Sequence, residues 1–323
     1  MDEEIRLPPG LLPPERHYRP RRPSHLGTLF TGLAVAGLVY VVWWIGWRIF
    51  VPMSVWFAPE NVGVVVAAIA VSQVIWRQRN VAAALTEYYE AVALLETGKV
   101  AEAGARLDAV CRCLSPHLPQ HALCVLSRGS AYLRAGRPDR ALSLFAAVLE
   151  SGRLEKPGQP FNIYYPVLLS GIAAAYAMQG EIETAERWQG LAHDHVTPAR
   201  SGLLLLMDVY LGARAGRGEV VVKDAEANWV NAAGVLLGAQ MQAVRVLCAF
   251  ALSVKNPNGV HDAKLRQFLA GARPCLPGQF DYLAVNWPEL RAFLTENGLA
   301  GGAAGGKTEA AVAGKGPSRE RPR

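Results

Sequence analysis

Apolar residues are arranged along this chain in two ways. The first eighty residues hold two unbroken apolar blocks. From Val81 onward apolar positions recur at the three- and four-residue spacing of a helix, and no run alternates with period two. Residues 26–47 are 22 positions without a charge, about 33 Å of helix against a hydrocarbon core of about 30 Å. Tyr40, Trp43, Trp44 and Trp47 gather at the far end, where an aromatic belt meets lipid headgroups, and Arg48 follows. A cleaved signal peptide would have an apolar core of about 7–15 residues with small residues after it, which this block does not match. Residues 62–76 form the second block. Its 15 residues make about 22 Å of helix, short for a span. With Pro59 in a first turn and Glu60 at the positive end of the dipole, a helix over 58–76 spans with some local thinning. No breaker separates it from residues 77–95, so the same helix is expected to run on beyond the membrane.

The predicted architecture is all-α. A Pro/Arg-rich solvated tail (1–25) precedes a transmembrane helical hairpin (26–78). A helical repeat region (79–230) follows, then helices capping its open end (231–298), then a Gly/Ala/basic tail (299–323). Arg16, Arg19, Arg21 and Arg22 before the first block, Arg77 and Arg79 after the second, and no Lys or Arg in residues 51–61 place both flanks in the cytoplasm by the positive-inside rule. High Ala, Arg and Gly content fits a bacterium with a GC-rich genome, and so an inner-membrane location.

Three segments of the repeat region share one spacing. The first has Ala91, Leu94, Gly98, Ala103 and Leu107. The second has Gly129, Tyr132, Gly136, Ala141 and Phe145. The third has Ala173, Tyr176, Gly180 and Ala185, with Trp188 near the last place. A small residue admits a closely crossing partner, and the glycine ends the first helix in a left-handed conformation. The alanine brings the second helix close, and the large residue one turn later fills the gap. This pattern, strongest in residues 131–150, resembles the tetratricopeptide repeat (TPR). The spacings of 38 and 44 between the glycines exceed that family's 34, with the excess falling at residues 116–119 and 156–160. A fourth unit is expected around Gly216, although its second helix fits the pattern poorly. The resemblance implies a concave α-solenoid groove, lined by the first helix of each pair, that binds a protein or peptide. Ser127, Arg128, Asn162, Tyr165 and Ser170 are the candidate groove residues.

Charge and composition narrow the function classes. The net charge of +6 resides outside the repeats, since residues 81–298 carry equal numbers of acids and bases. A neutral domain has no net field to gather a nucleic acid, whereas basic flanks beside apolar blocks suit anionic lipid. Five scattered cysteines do not make a disulfide framework. Residues 301–308 formally satisfy G-x-x-x-x-G-K-[ST]. They lack the strand before and the α/β context that phosphate binding needs, so no nucleotide is expected. Cys111, Cys113, His117, His121 and Cys124 hold metal-ligand chemistry at a non-standard spacing broken by Pro116 and Pro119, so buried thiols beside loop histidines are expected instead. His193, Asp194 and His195 read as a solvated linker. No nucleophile, base and acid set can be assembled, so neither an enzyme nor a cofactor is expected. A metal-binding or redox-sensing membrane protein using the Cys/His cluster, and a structural subunit of a membrane complex, are the competing readings.

Overall fold

The computed structural model describes residues 14–20, Gly37, 61–155, 161–254 and 262–301. The first apolar block, the loop at 156–160 and the Gly/Ala/basic tail beyond residue 301 lie outside the described residues. Every regular element within them is helical. The longest, α1 (Asn61–Glu96), is a single 36-residue helix, about 54 Å long. The second apolar block therefore continues into the repeat region without a break. Among the described residues, no helix is long and apolar enough to cross a membrane. The apolar half of α1 ends at Trp76, where Arg77 and Arg79 follow.

Four helix pairs follow in order: α1 with α2 (Val100–Cys113), α3 (Pro119–Arg134) with α4 (Pro138–Glu150), α5 (Tyr165–Gln179) with α6 (Ile182–Asp194), and α7 (Leu205–Arg214) with α8 (Gly218–Ala227). The turns joining them are alike. Gly98, Gly136, Gly180 and Gly216 have φ of 78°, 69°, 94° and 71°. In each turn the glycine N–H donates to the carbonyl three residues back, and the next N–H to the carbonyl five back. Two otherwise orphaned carbonyls are satisfied by this Schellman arrangement, and only glycine holds its left-handed conformation without a Cβ penalty. Prolines at the first turns of α3, α4 and α5 start helices where a missing N–H costs nothing.

Packing between the pairs is set by side-chain size. Phe145, fully buried on α4, lies against Gly129 of α3 and Gly171 of α5. A Cβ at Gly129 would come within 2.3 Å of its ring. The fourth pair reverses the sizes. Gly212 stands where the other units have Leu94, Tyr132 and Tyr176, and Val221 where they have Ala103, Ala141 and Ala185. A Cβ at Gly212 would meet Val221 Cγ2 at 2.3 Å. The poor match of this unit in sequence is thus an exchange of large and small across one contact.

First helices form the inner layer: α1 touches α3, α3 touches α5, and α5 touches α7. Beyond α8, a short α9 (Trp229–Ala233) lies against Gly202, and α10 (Gly238–Val254) packs on α7, α8 and α11 (Asp262–Gly271) and reaches back to α1. Residues 272–287 then run across the carboxyl ends of the first helices. Leu276 lies at the Gly98 turn and Val285 at the Gly136 turn. The Asn286 side-chain amide donates to the Met178 carbonyl of α5 (2.9 Å), and Arg214 of α7 donates to the Asn286 carbonyl (2.9 Å). Trp287 closes the segment edge-on to Tyr210 and Phe250, and α12 (Pro288–Glu296) follows.

The tail expected to be solvated over residues 1–25 is not so at residues 14–20. Arg16–Tyr18 form a 3-10 turn, and Tyr18 is buried against α2 as part of the core. An aromatic ring with a partner for its hydroxyl gains from burial even in a Pro/Arg-rich context.

Candidate functional site

Residues one helical turn apart share a face, so the inner layer presents repeated stripes rather than isolated positions. On α3 the stripe is Ser127, Ser130 and Arg134. On α5 it includes Val167, Ser170, Ala174 and Met178, and on α7 Leu206 and Tyr210. All of these but Ser127, together with Gln240, Tyr282 and Leu283, line a chamber of about 150 Å³, apolar in most of its wall. Burial pushes the Tyr210 and Tyr282 phenols above the ordinary tyrosine range, so both stay neutral donors. Tyr210 accepts from Arg214 (3.1 Å), and Arg134 donates to the Leu95 carbonyl at the end of α1. Neutral hydroxyls, a guanidinium and an apolar wall can hold a side chain or peptide; they include no nucleophile with an adjacent base.

Of the five candidates, Ser170 lines this chamber. Ser127 is on the same face of α3, but its hydroxyl pairs with the Tyr88 hydroxyl of α1 (2.9 Å). Arg128 is one position on, about 100° around the helix, and turns away toward α2. There it binds Asp108 through Nε (2.6 Å) and Nη2 (3.1 Å) and lies 4.0 Å from the centre of the Tyr132 ring. Burial opposes its charge, but bonds to Tyr18 and Asp108 outweigh that and raise its pKa. Asn162 donates its amide to the Leu154 and Glu155 carbonyls (2.7 and 3.0 Å), holding the approach to α5. Tyr165 packs edge-on to His195, centroids 5.0 Å apart. Sequence pattern alone does not single out Arg134, Tyr210 and Tyr282. The first two share helical register with predicted groove positions, but nothing local marks Tyr282, which arrives from a distant segment.

The Cys/His cluster divides by burial. The Cys111 and Cys124 sulfurs lie 2.9 Å apart inside the α2–α3 contact, while Cys113 is exposed. The bond to Cys111 and burial raise the Cys124 thiol well above its usual range, the opposite of what a reactive thiolate needs. His121 is fully buried, its Nε2 2.7 Å from the His17 carbonyl, and burial lowers its pKa. Among the described residues no three His, Cys, Asp or Glu side chains are placed to hold a metal ion. His193, expected in a solvated linker, is instead in the last turn of α6, its Nε2 2.9 Å from Asp208. Compared with known proteins, the chain matches no family model, no curated protein and no solved structure.

Proposed function

We propose that this chain is a membrane-anchored scaffold or adaptor of TPR-like design, not an enzyme, and that its inner layer binds a protein or peptide. One observation carries the reading: four successive helix pairs share one turn geometry at the same place in each repeat. Stacked helix pairs generate an extended concave surface, which suits an extended or helical peptide segment. The carboxyl end of that surface is covered by the chain's own residues 272–287, so the partner enters beside Ser170, Val167 and Leu206.

The membrane anchor is part of the same proposal. It rests on the 22-residue uncharged block, on the basic residues flanking both blocks, and on α1, which carries the second block directly into the first pair. The repeats then face the cytoplasm of a bacterial inner membrane.

A photoreactive amino acid in the full-length protein tests the groove. Placed at Ser170 it gives a discrete adduct with a single partner in intact cells. Placed at Glu183, exposed on α6, it does not. Equal labelling from both positions sinks the groove reading.

A further inference from the structure

We infer that the chamber between α3, α5 and α7 is a binding site for a small apolar carboxylic acid, held as its carboxylate. This site is independent of the membrane anchor and of the adaptor reading, because it depends only on the chamber's own wall.

The wall holds hydrogen-bond donors without acceptors to match. Arg134 donates through Nη1 to the Leu95 carbonyl, and the negative end of the α1 dipole there offsets part of its charge. Its other N–H groups have no acceptor among the described residues, and no carboxylate pairs with it. The Tyr282 hydroxyl has no hydrogen-bond partner among the described residues, and the Arg134 charge reaches it. Tyr210 is 4% exposed, and its oxygen accepts from Arg214 at 3.1 Å, which leaves its own proton to give. Gln240 uses its amide oxygen to hold the Leu237 N–H (2.9 Å), so its amide nitrogen is also left over. No aspartate or glutamate lines the chamber. Donors grouped around a half-buried cation are costly unless a negative acceptor meets them.

Position and size narrow the ligand further. Arg134 and Tyr210 lie toward the carboxyl ends of their helices, where Tyr282 of the crossing segment joins them. Val167 and Leu206 lie toward the amino ends. A charged head therefore belongs at the covered end, with an apolar body reaching back toward Val167 and Leu206. The chamber's 150 Å³ gives that body room for roughly one benzene ring. A cation would face a guanidinium with no acid in the wall to balance it. A purely apolar guest would leave the hydroxyls and the guanidinium unpaired. A doubly charged phosphate would meet a single guanidinium in a largely apolar wall and stay half-neutralised. A monocarboxylate matches the one charge, and its two oxygens can accept from guanidinium, phenol and amide together.

Thermal unfolding of the full-length protein at neutral pH tests the site, with phenylacetate as the probe. Phenylacetamide and phenethylammonium carry the same ring on a neutral and on a positive head. A ligand that binds the folded state raises the melting temperature with its concentration. Phenylacetate does so, the amide needs about tenfold more for the same rise, and phenethylammonium gives none. Tyr282→Phe and Arg134→Gln each need about tenfold more phenylacetate than the unsubstituted protein. Each variant is compared with itself without ligand, so the Arg134 bond to Leu95 does not enter the comparison. Where Arg134→Gln fails to fold, Tyr282→Phe decides alone. An equal rise with all three compounds, no rise at millimolar phenylacetate, or an unchanged response in Tyr282→Phe overturns the site. The Ser170 crosslink is read separately, so the groove reading and this site can each fail without the other.

Discussion

At the scale of single residues, glycines on helix faces make this packing possible. Gly129→Ala drives a methyl into the Phe145 ring, and overpacking of this kind costs about 1–3 kcal/mol. Gly190, exposed in the middle of α6 with open space around it, is the control: Gly190→Ala stabilises by about 0.5–1 kcal/mol. Thermal unfolding of the full-length variants checks both signs. The Gly212/Val221 exchange predicts a non-additive pair. Gly212→Ala alone destabilises, and adding Val221→Ala recovers much of the loss, because the second change vacates the space the first needs. His121 makes the same scale pH-sensitive. Burial lowers its pKa, and its neighbours are His17 of the amino-terminal 3-10 turn, the Cys111 backbone from α2 and Arg153 beyond α4. Its stabilising effect is complete above the unfolded value of about 6.5 and is lost as pH falls below that, since the unfolded chain then binds the proton more readily. Melting temperature therefore declines from pH 7 toward 5.5, and His121→Gln flattens the decline.

Among elements, the repeated turn carries both fold and register. Its geometry was readable in the sequence: glycines at a fixed place after a small and a large residue announce a left-handed cap, and three of the four units announce themselves clearly. The cost of changing a turn glycine then depends on what packs over it. A Cβ at Gly216 would have nothing within 4 Å, so Gly216→Ala incurs the left-handed strain alone, about 1–2 kcal/mol. Gly136→Ala incurs that strain and also presses on Val285 at 3.3 Å, so it unfolds at a lower denaturant concentration than Gly216→Ala. Equal midpoints would show that residues 272–287 do not rest on the turns. The fourth unit was harder to read because a motif records residue types, whereas packing needs only complementary sizes. Val221 breaks the motif and satisfies the packing.

For the whole molecule, the stack is closed by parts remote in sequence. The aromatic contacts of Trp287 with Tyr210 and Phe250, and of Phe250 with Phe293, tie α7, α10, α12 and the crossing segment together. Phe280, 1% exposed, anchors that segment, and Phe280→Ala costs about 3–5 kcal/mol. Its second consequence is wider access to the chamber beside Tyr282, read as increased binding of an apolar fluorescent dye to folded protein. A variant destabilised without added dye binding would mean the segment supports the core but does not bound the groove.

What the sequence determined by itself is what acts within a few turns of helix. That includes the all-helical character, the places where first helices stop, the continuity of α1 and the uncharged length of the first block. Each follows from periodicity, from a proline or glycine at a defined place, or from the absence of charge, and none needs a distant partner. Tertiary structure alone decided that Tyr18 seats on Asp108 ninety residues away, that Asn286 binds a carbonyl 108 residues back, and that Arg128 faces α2 rather than the groove. It also separated the thiols of Cys111 and Cys124 from exposed Cys113. Such pairings depend on which surfaces meet after the helices stack. Helical periodicity names the apolar face of each helix but not its partner. The amino-terminal turn lies between the two: Tyr18 is a plain aromatic in a Pro/Arg-rich stretch of sequence, and only the stacking of α2 on α3 gives its hydroxyl and ring a seat.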